Sequence, residues 1–197
     1  MRLKPMAPEK LPTEQRAFYE RMNAGIDMHL KGFVSKRDDG ALVGPFNPLL
    51  HYWQFGQGCW EILAALWENS TLPKAAHEVA ILVVGAHFSS RYALYAHEHV
   101  AALACIADAK VATIDAGERP SDLTREEGIA YDVASRLSRG GQLPEAIYRA
   151  ALSAFGEQGT AELVYLIGTY CLISVLLNAY DVSVPGEDED SRGTLAA

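Results

Sequence analysis

HEVAILVVGAHFSSRYALYAHEH, residues 77–99, joins two apolar runs through a polar break, His87 to Arg91. Glu78, His97 and His99 sit inside the apolar runs. The Val-rich run VAILVV has the composition of a strand. The segment is too long for one strand and its apolar residues do not alternate, so a buried helix is the better reading. Ala76, Ala80, Val83 and Val84 fall on one helical stripe. A second helix starts at Ser89 or Ser90, read as its N-cap. A turn through HFSSR folds the two helices back on each other and brings Glu78 toward His97.

The same reasoning outward makes the chain all-α, with about eight helices. TEQRAFYERMNAGIDMHL opens at Thr13 as N-cap. Asp-Gly, Val-Gly-Pro and Asn-Pro mark SKRDDGALVGPFNPLL as a long loop. LLHYWQFGQGCWEILAALWENS is a helix with a bend expected near Gly56 and Gly58. Trp53, Trp60 and Trp67, seven apart along it, form a stripe for the core or a subunit interface. A short helix follows in ADAKVATIDAG. Thr124 and Glu127 have capping-box spacing at the start of the next. LPEAIYRAALSAFG and EQGTAELVYLIGTYCLISVLLNAYDV complete the set. AAHEVAILVVGAHFS and GTAELVYLIGTYCLI both place a Glu before an apolar run carrying a Gly, a faint internal echo.

The 197 residues, 49% of them hydrophobic, suffice for one core. A net charge of −8 argues against nucleic acid and anionic membranes as partners. The start MRLKPMAPEKLPTEQ has no apolar signal region, and no uninterrupted apolar run reaches a membrane-spanning length. The expectation is a soluble cytoplasmic protein with an acidic flexible tail over 186–197. Cys59, Cys105 and Cys171 lie far apart, with neither a redox pair nor zinc spacing, and no phosphate loop appears. No metal site and no cofactor are expected.

Read from spacing alone, Glu78 and His97 are as readily a buried structural pair as a site. As a site, the carboxylate holds one imidazole nitrogen, fixes the tautomer and raises the basicity of the other. HEVAILVVGAHFSSRYALYAHEHVAALACIADAKV resembles, without a gap, the carboxymuconolactone decarboxylase-like or alkylhydroperoxidase D-like family, whose members tend to read R-E-L-A-I-L-x-V-A and then Y-E-W-x-x-H. Glu78, Tyr92 and His97 fall on the family Glu, Tyr and His. GPFNPLLHYW resembles the family's upstream loop and LIGTYCLISVLLNAYDVSVP its final helix. The resemblance covers roughly residues 40 to 185, leaving 1–39 as an N-terminal helix and arm.

The resemblance implies an alkylhydroperoxidase D-like bundle around a central antiparallel hairpin, assembled as a trimer or a hexamer built from dimers. It implies an acid/base site with His97 and Glu78 catalytic, acting on a small carboxylated or carbonyl molecule. Tyr92, about 140° around the helix from His97, flanks it. Ser90, His51, Tyr52 and Asn178 are candidate substrate contacts, whereas His87 and His99 are read as a helix-end residue and a surface residue. The peroxidase branch carries cysteines where this chain has Ser90 and Ala93, so dithiol chemistry is not expected. The usual Y-E-W is Tyr92-Ala93-Leu94, and the usual Gly after the second helix is Cys105. The alternatives are a peroxidase-type oxidoreductase and a non-catalytic small-molecule-binding scaffold.

Overall fold

The computed structural model describes residues 1–186, and among these every regular element except one isolated bridge, Lys36 to Leu42, is helical. The eight α-helices are α1 (Thr13–His29), α2 (Phe46–His51), α3 (Trp53–Glu68), α4 (Lys74–His87), α5 (Arg91–Leu103), α6 (Asp108–Asp115), α7 (Arg125–Ser138) and α8 (Glu145–Ala179). The all-α reading holds, and both Val-rich runs are helical. The acidic stretch from Glu187 onward lies outside the described residues.

α4 is the axis of the molecule. Residues 78–85 are buried without interruption, so the helix is enclosed on all sides, as an apolar run without a polar face requires. It packs against α5, α6, α7 and α8. Phe18, Met22 and Ile26 on α1 belong to the same core as α4, and Trp60 fills its centre next to Phe46. The N-terminal arm is strapped to the far end: Arg2 N donates to the Tyr180 carbonyl at 2.8 Å, and Asn47 Nδ2 donates to the Leu3 carbonyl at 3.0 Å.

Several local expectations are corrected. Pro12, not Thr13, holds the N-cap position of α1. The segment read as loop up to Leu50 already turns helical at Phe46, because Pro48 sits in the first turn of α2, where a missing N–H costs nothing. The bend expected at Gly56 or Gly58 falls instead at Tyr52, whose φ of −112° and ψ of 55° part α2 from α3. α8 contains a break at Gly156, φ 67°, where the two final helices meet. The Thr124–Glu127 capping box is present in both directions, at 3.2 and 2.8 Å.

The turn between α4 and α5 is a Schellman closure. Ser90 N–H donates to the Gly85 carbonyl at 2.9 Å and Ser89 N–H to Ala86 at 3.0 Å, with Ser89 left-handed at φ 49°. α5 closes the same way. Ile106 N–H donates to Ala101 and Cys105 N–H to Ala102, with Cys105 at φ 60°. Cys105 thus adopts the left-handed backbone shape that favours glycine, at the steric cost of a Cβ. Cys105→Gly should raise stability by about 1 kcal/mol, a few degrees in Tm, and Cys105→Val should lower it. Melting curves of the two variants check this, and an unchanged or lower Tm for the glycine variant would refute it.

By length and composition, α8 alone among the described helices is long and apolar enough to cross a membrane, and 56% of its apolar window is buried inside the protein. Its contacts with α3, α4, α5 and α7 are those of a core helix.

Candidate functional site

Glu78 lies in the first turns of α4 and His97 midway along α5. Because α5 runs back along α4 from a three-residue turn, Gly85 meets Ala93 and Leu94 while Glu78 meets His97. The His97 Nδ1 to Glu78 Oε2 distance is 2.7 Å, a short charge-assisted hydrogen bond. The other carboxylate oxygen is also occupied, since His77 Nδ1 lies 3.1 Å from Oε1. Glu78 therefore bridges two imidazoles. On α8, Tyr170 packs edge-on to the His97 ring, centroids 5.0 Å apart and planes at 84°.

The three residues open onto a cleft of about 370 Å³ that also takes in His29, Lys31, Lys74 and Ser70. Behind it lies an apolar recess of about 40 Å³ walled by Phe33, Phe46, Leu63, Ile173 and Leu177. Leu30, Trp67, His97 and Tyr170 line both spaces, so the His97 ring stands at the boundary between a polar mouth and an apolar interior. The Trp stripe resolves accordingly: Trp60 is core, while Trp67 stacks on His29 at 5.5 Å and reaches the cleft.

Burial alone would raise the Glu78 carboxyl. The charge of His97, the hydrogen bonds from His77 and His97 and the charge of His77 outweigh it, lowering the pKa from 4.5 to about 2. The Tyr170 phenol is pushed up, by burial first and then by the Glu78 charge, so it stays protonated. A carboxyl depressed in the fold stabilises it above the unfolded pKa, and that contribution is lost as pH falls through the folded value. Between pH 4.5 and about 2, wild-type stability should therefore fall more steeply than that of Glu78→Gln. Melting temperatures across this window test the sign, and parallel profiles would refute an ionised Glu78.

Tyr92 is buried beside the recess, its ring lining the wall and its hydroxyl donating to the Val34 carbonyl at 2.7 Å. It shapes the recess and ties down the loop before α2. Four candidate contacts do not reach the cleft. Ser90 is fully buried with its hydroxyl unpartnered, because the Schellman turn draws it inward beneath the α4–α5 corner. His51 Nε2 bonds the Lys4 carbonyl at 2.9 Å, and Tyr52 stacks on Tyr180 at 5.7 Å, so both belong to the strapped N-terminal arm and the end of α8. Asn178 Nδ2 donates to the Phe88 carbonyl at 2.7 Å and fastens α8 to the turn. His99 is exposed, with Nδ1 on the Tyr95 carbonyl at 2.7 Å, and His87 ends α4 in solvent.

The echoing carboxylate, Glu162, is buried too, but it accepts from Ser70 Oγ, Thr71 N and Thr71 Oγ1 at 2.5 to 2.8 Å. It anchors the cleft rim rather than a titrating ring. Cys59 is buried, its thiol pushed up by burial to about 11, and Cys105 is exposed outside the cleft lining. Among the described residues no three His, Cys, Asp or Glu side chains gather as metal ligands.

Fold and site together define an all-α protein with a carboxylate-bridged imidazole pair in an open cleft. No family model, curated protein or solved structure matches the chain.

Proposed function

We propose that this protein is an acid/base enzyme of the carboxymuconolactone decarboxylase-like family, with the alkylhydroperoxidase D-like bundle and its α4–α5 hairpin. It acts in the cytoplasm, without a cofactor, on a small carboxylated or carbonyl-bearing molecule. The observation that carries the reading is that the Glu78–His97 pair opens to a cleft. A structural pair would be sealed in protein. Nδ1 of His97 is committed to the carboxylate, so Nε2 is the nitrogen that exchanges a proton with a substrate. Lys31 and Lys74 place positive charge at the mouth of a chain with net charge −8, which suits an anionic head group, and the recess suits an apolar body. In a decarboxylation, the His97 imidazolium would protonate the carbon that has lost carbon dioxide. The positions of the peroxidase cysteines hold Ser90 and Ala93, which supports proton transfer over dithiol chemistry.

A thermal-shift screen of small carboxylic acids and lactones, run on wild type and His97→Ala, tests this. The expected result is at least one compound that raises the wild-type Tm and shifts the variant less. A screen in which no acid or lactone shifts the wild type would sink it.

The assembly we propose is a homo-oligomer, a trimer or a hexamer built from dimers. Val164, Tyr165, Leu172 and Val175 recur at helical spacing on one exposed face of α8, with exposed Gly168 among them. Light scattering at micromolar concentration should give a multiple of the chain mass, and a monomer would contradict the proposal.

A further inference from the structure

Glu78 has two oxygens and each meets Nδ1 of a different ring, His97 at 2.7 Å and His77 at 3.1 Å. An ionised carboxylate only accepts hydrogen bonds, so both rings must present Nδ1–H to it. A neutral imidazole carries one ring proton, which leaves Nε2 bare on both rings. Neither Nε2 has a hydrogen-bond partner among the described residues, and both rings line the cleft. One added proton turns one ring into an imidazolium and leaves the three side chains with no net charge. A second would make them cationic beside Lys31 and Lys74, which is unfavourable in a mostly buried site. The other titratable groups on the cleft are His29 and Tyr170, and Tyr170 meets the His97 ring edge-on.

We infer that His77 is a second acid/base group of the site, and that His77 and His97 share one proton across Glu78 as a two-base pair. The inference rests on the acid/base reading above and extends it to a class of reaction. Nε2 of His97 takes a proton from a carbon next to a carbonyl, and the C–H electron pair passes into an enolate. The Nε2–H of the His77 imidazolium gives its proton to a second carbon of the same molecule. One C–H bond breaks and another forms, the product is an isomer, and no oxidant, reductant or co-reactant is consumed. The pair ends with its proton on His97, and exchange with water resets it. Such a site shifts a double bond in an unsaturated acid or lactone.

The test needs no substrate. Full-length protein labelled with ¹⁵N-histidine is examined by two-bond ¹H–¹⁵N correlation, at a pH where both rings are neutral. The expected spectrum shows His77 and His97 both in the Nδ1–H tautomer, the less common form in free histidine. In Glu78→Gln the amide offers one acceptor oxygen and one NH2 donor group. One ring should then switch to the Nε2–H tautomer while the other stays. His77 in the Nε2–H tautomer in wild type, or both rings still in the Nδ1–H tautomer in Glu78→Gln, would overturn the inference. If Glu78→Gln does not fold, the wild-type tautomers decide alone. A single-base result leaves the His97 reading standing. A blank ligand screen removes that reading while the tautomers stay as measured, so the two failures are distinguishable.

Discussion

On the acid/base reading, replacing His97 with alanine should lower turnover by about 10²–10⁴-fold while the fold survives. That range is the usual loss when a positioned general acid or base is removed. Survival follows from where the ring stands. It lies between the cleft and the recess, so truncation joins two existing spaces instead of opening a sealed void. Glu78 keeps the His77 hydrogen bond and does not become an orphaned buried charge. Glu78→Gln should cost less than loss of the ring, because it keeps the imidazole and retains one acceptor oxygen to hold it. A scaffold would behave in the opposite way: both variants would melt several degrees early and ligand binding would not change. Paired melting curves and rate or binding measurements separate these outcomes.

The helices were legible in the sequence because burial leaves a period. α4 and α8 have apolar runs too long and too unbroken for strands, and the structure makes both helical. The Glu78–His97 pair was legible because the turn between their helices is short, so sequence separation converts almost directly into distance. His77 was missed for a local reason. Adjacent helical residues point about 100° apart, yet the Glu78 carboxylate reaches back to its own neighbour. Tyr170 was missed for a global one, since it arrives from α8, far along the chain. The available signal was a tyrosine inside an apolar helix, whose hydroxyl needs a polar neighbour. Ser90, His51, Tyr52 and Asn178 were placed in the site by motif position. The structure places them elsewhere: backbone carbonyls of remote segments hold His51 and Asn178, the Tyr180 ring holds Tyr52, and the turn after α4 buries Ser90. Those partnerships have no sequence period to reveal them.

Gly56→Ala should be severely damaging. A methyl group there would lie 2.1 Å from the Leu49 carbonyl oxygen and 2.7 Å from its carbon. Both are backbone atoms of α2, so no rotamer relieves the clash. α2 and α3 must separate, and strain from overpacking of this kind costs about 3 kcal/mol or more. For a chain of this size that is on the order of 10 °C in Tm. Displacement of α2 also moves Phe46, which walls the recess, so any ligand that fills the recess should bind more weakly. Gly58, two residues on in the same helix, is the internal control. Nothing lies within 4 Å of a methyl group there, and alanine improves helix propensity, so Gly58→Ala should leave stability unchanged or raise it by up to about 1 kcal/mol. The two glycines look alike in the sequence, where either one marks a bend. In the structure the bend is at Tyr52, and Gly56 is needed because a second helix passes against it. Melting curves of the two single variants decide the point: a Gly56→Ala protein that melts within two degrees of Gly58→Ala would show that α2 and α3 do not cross so closely.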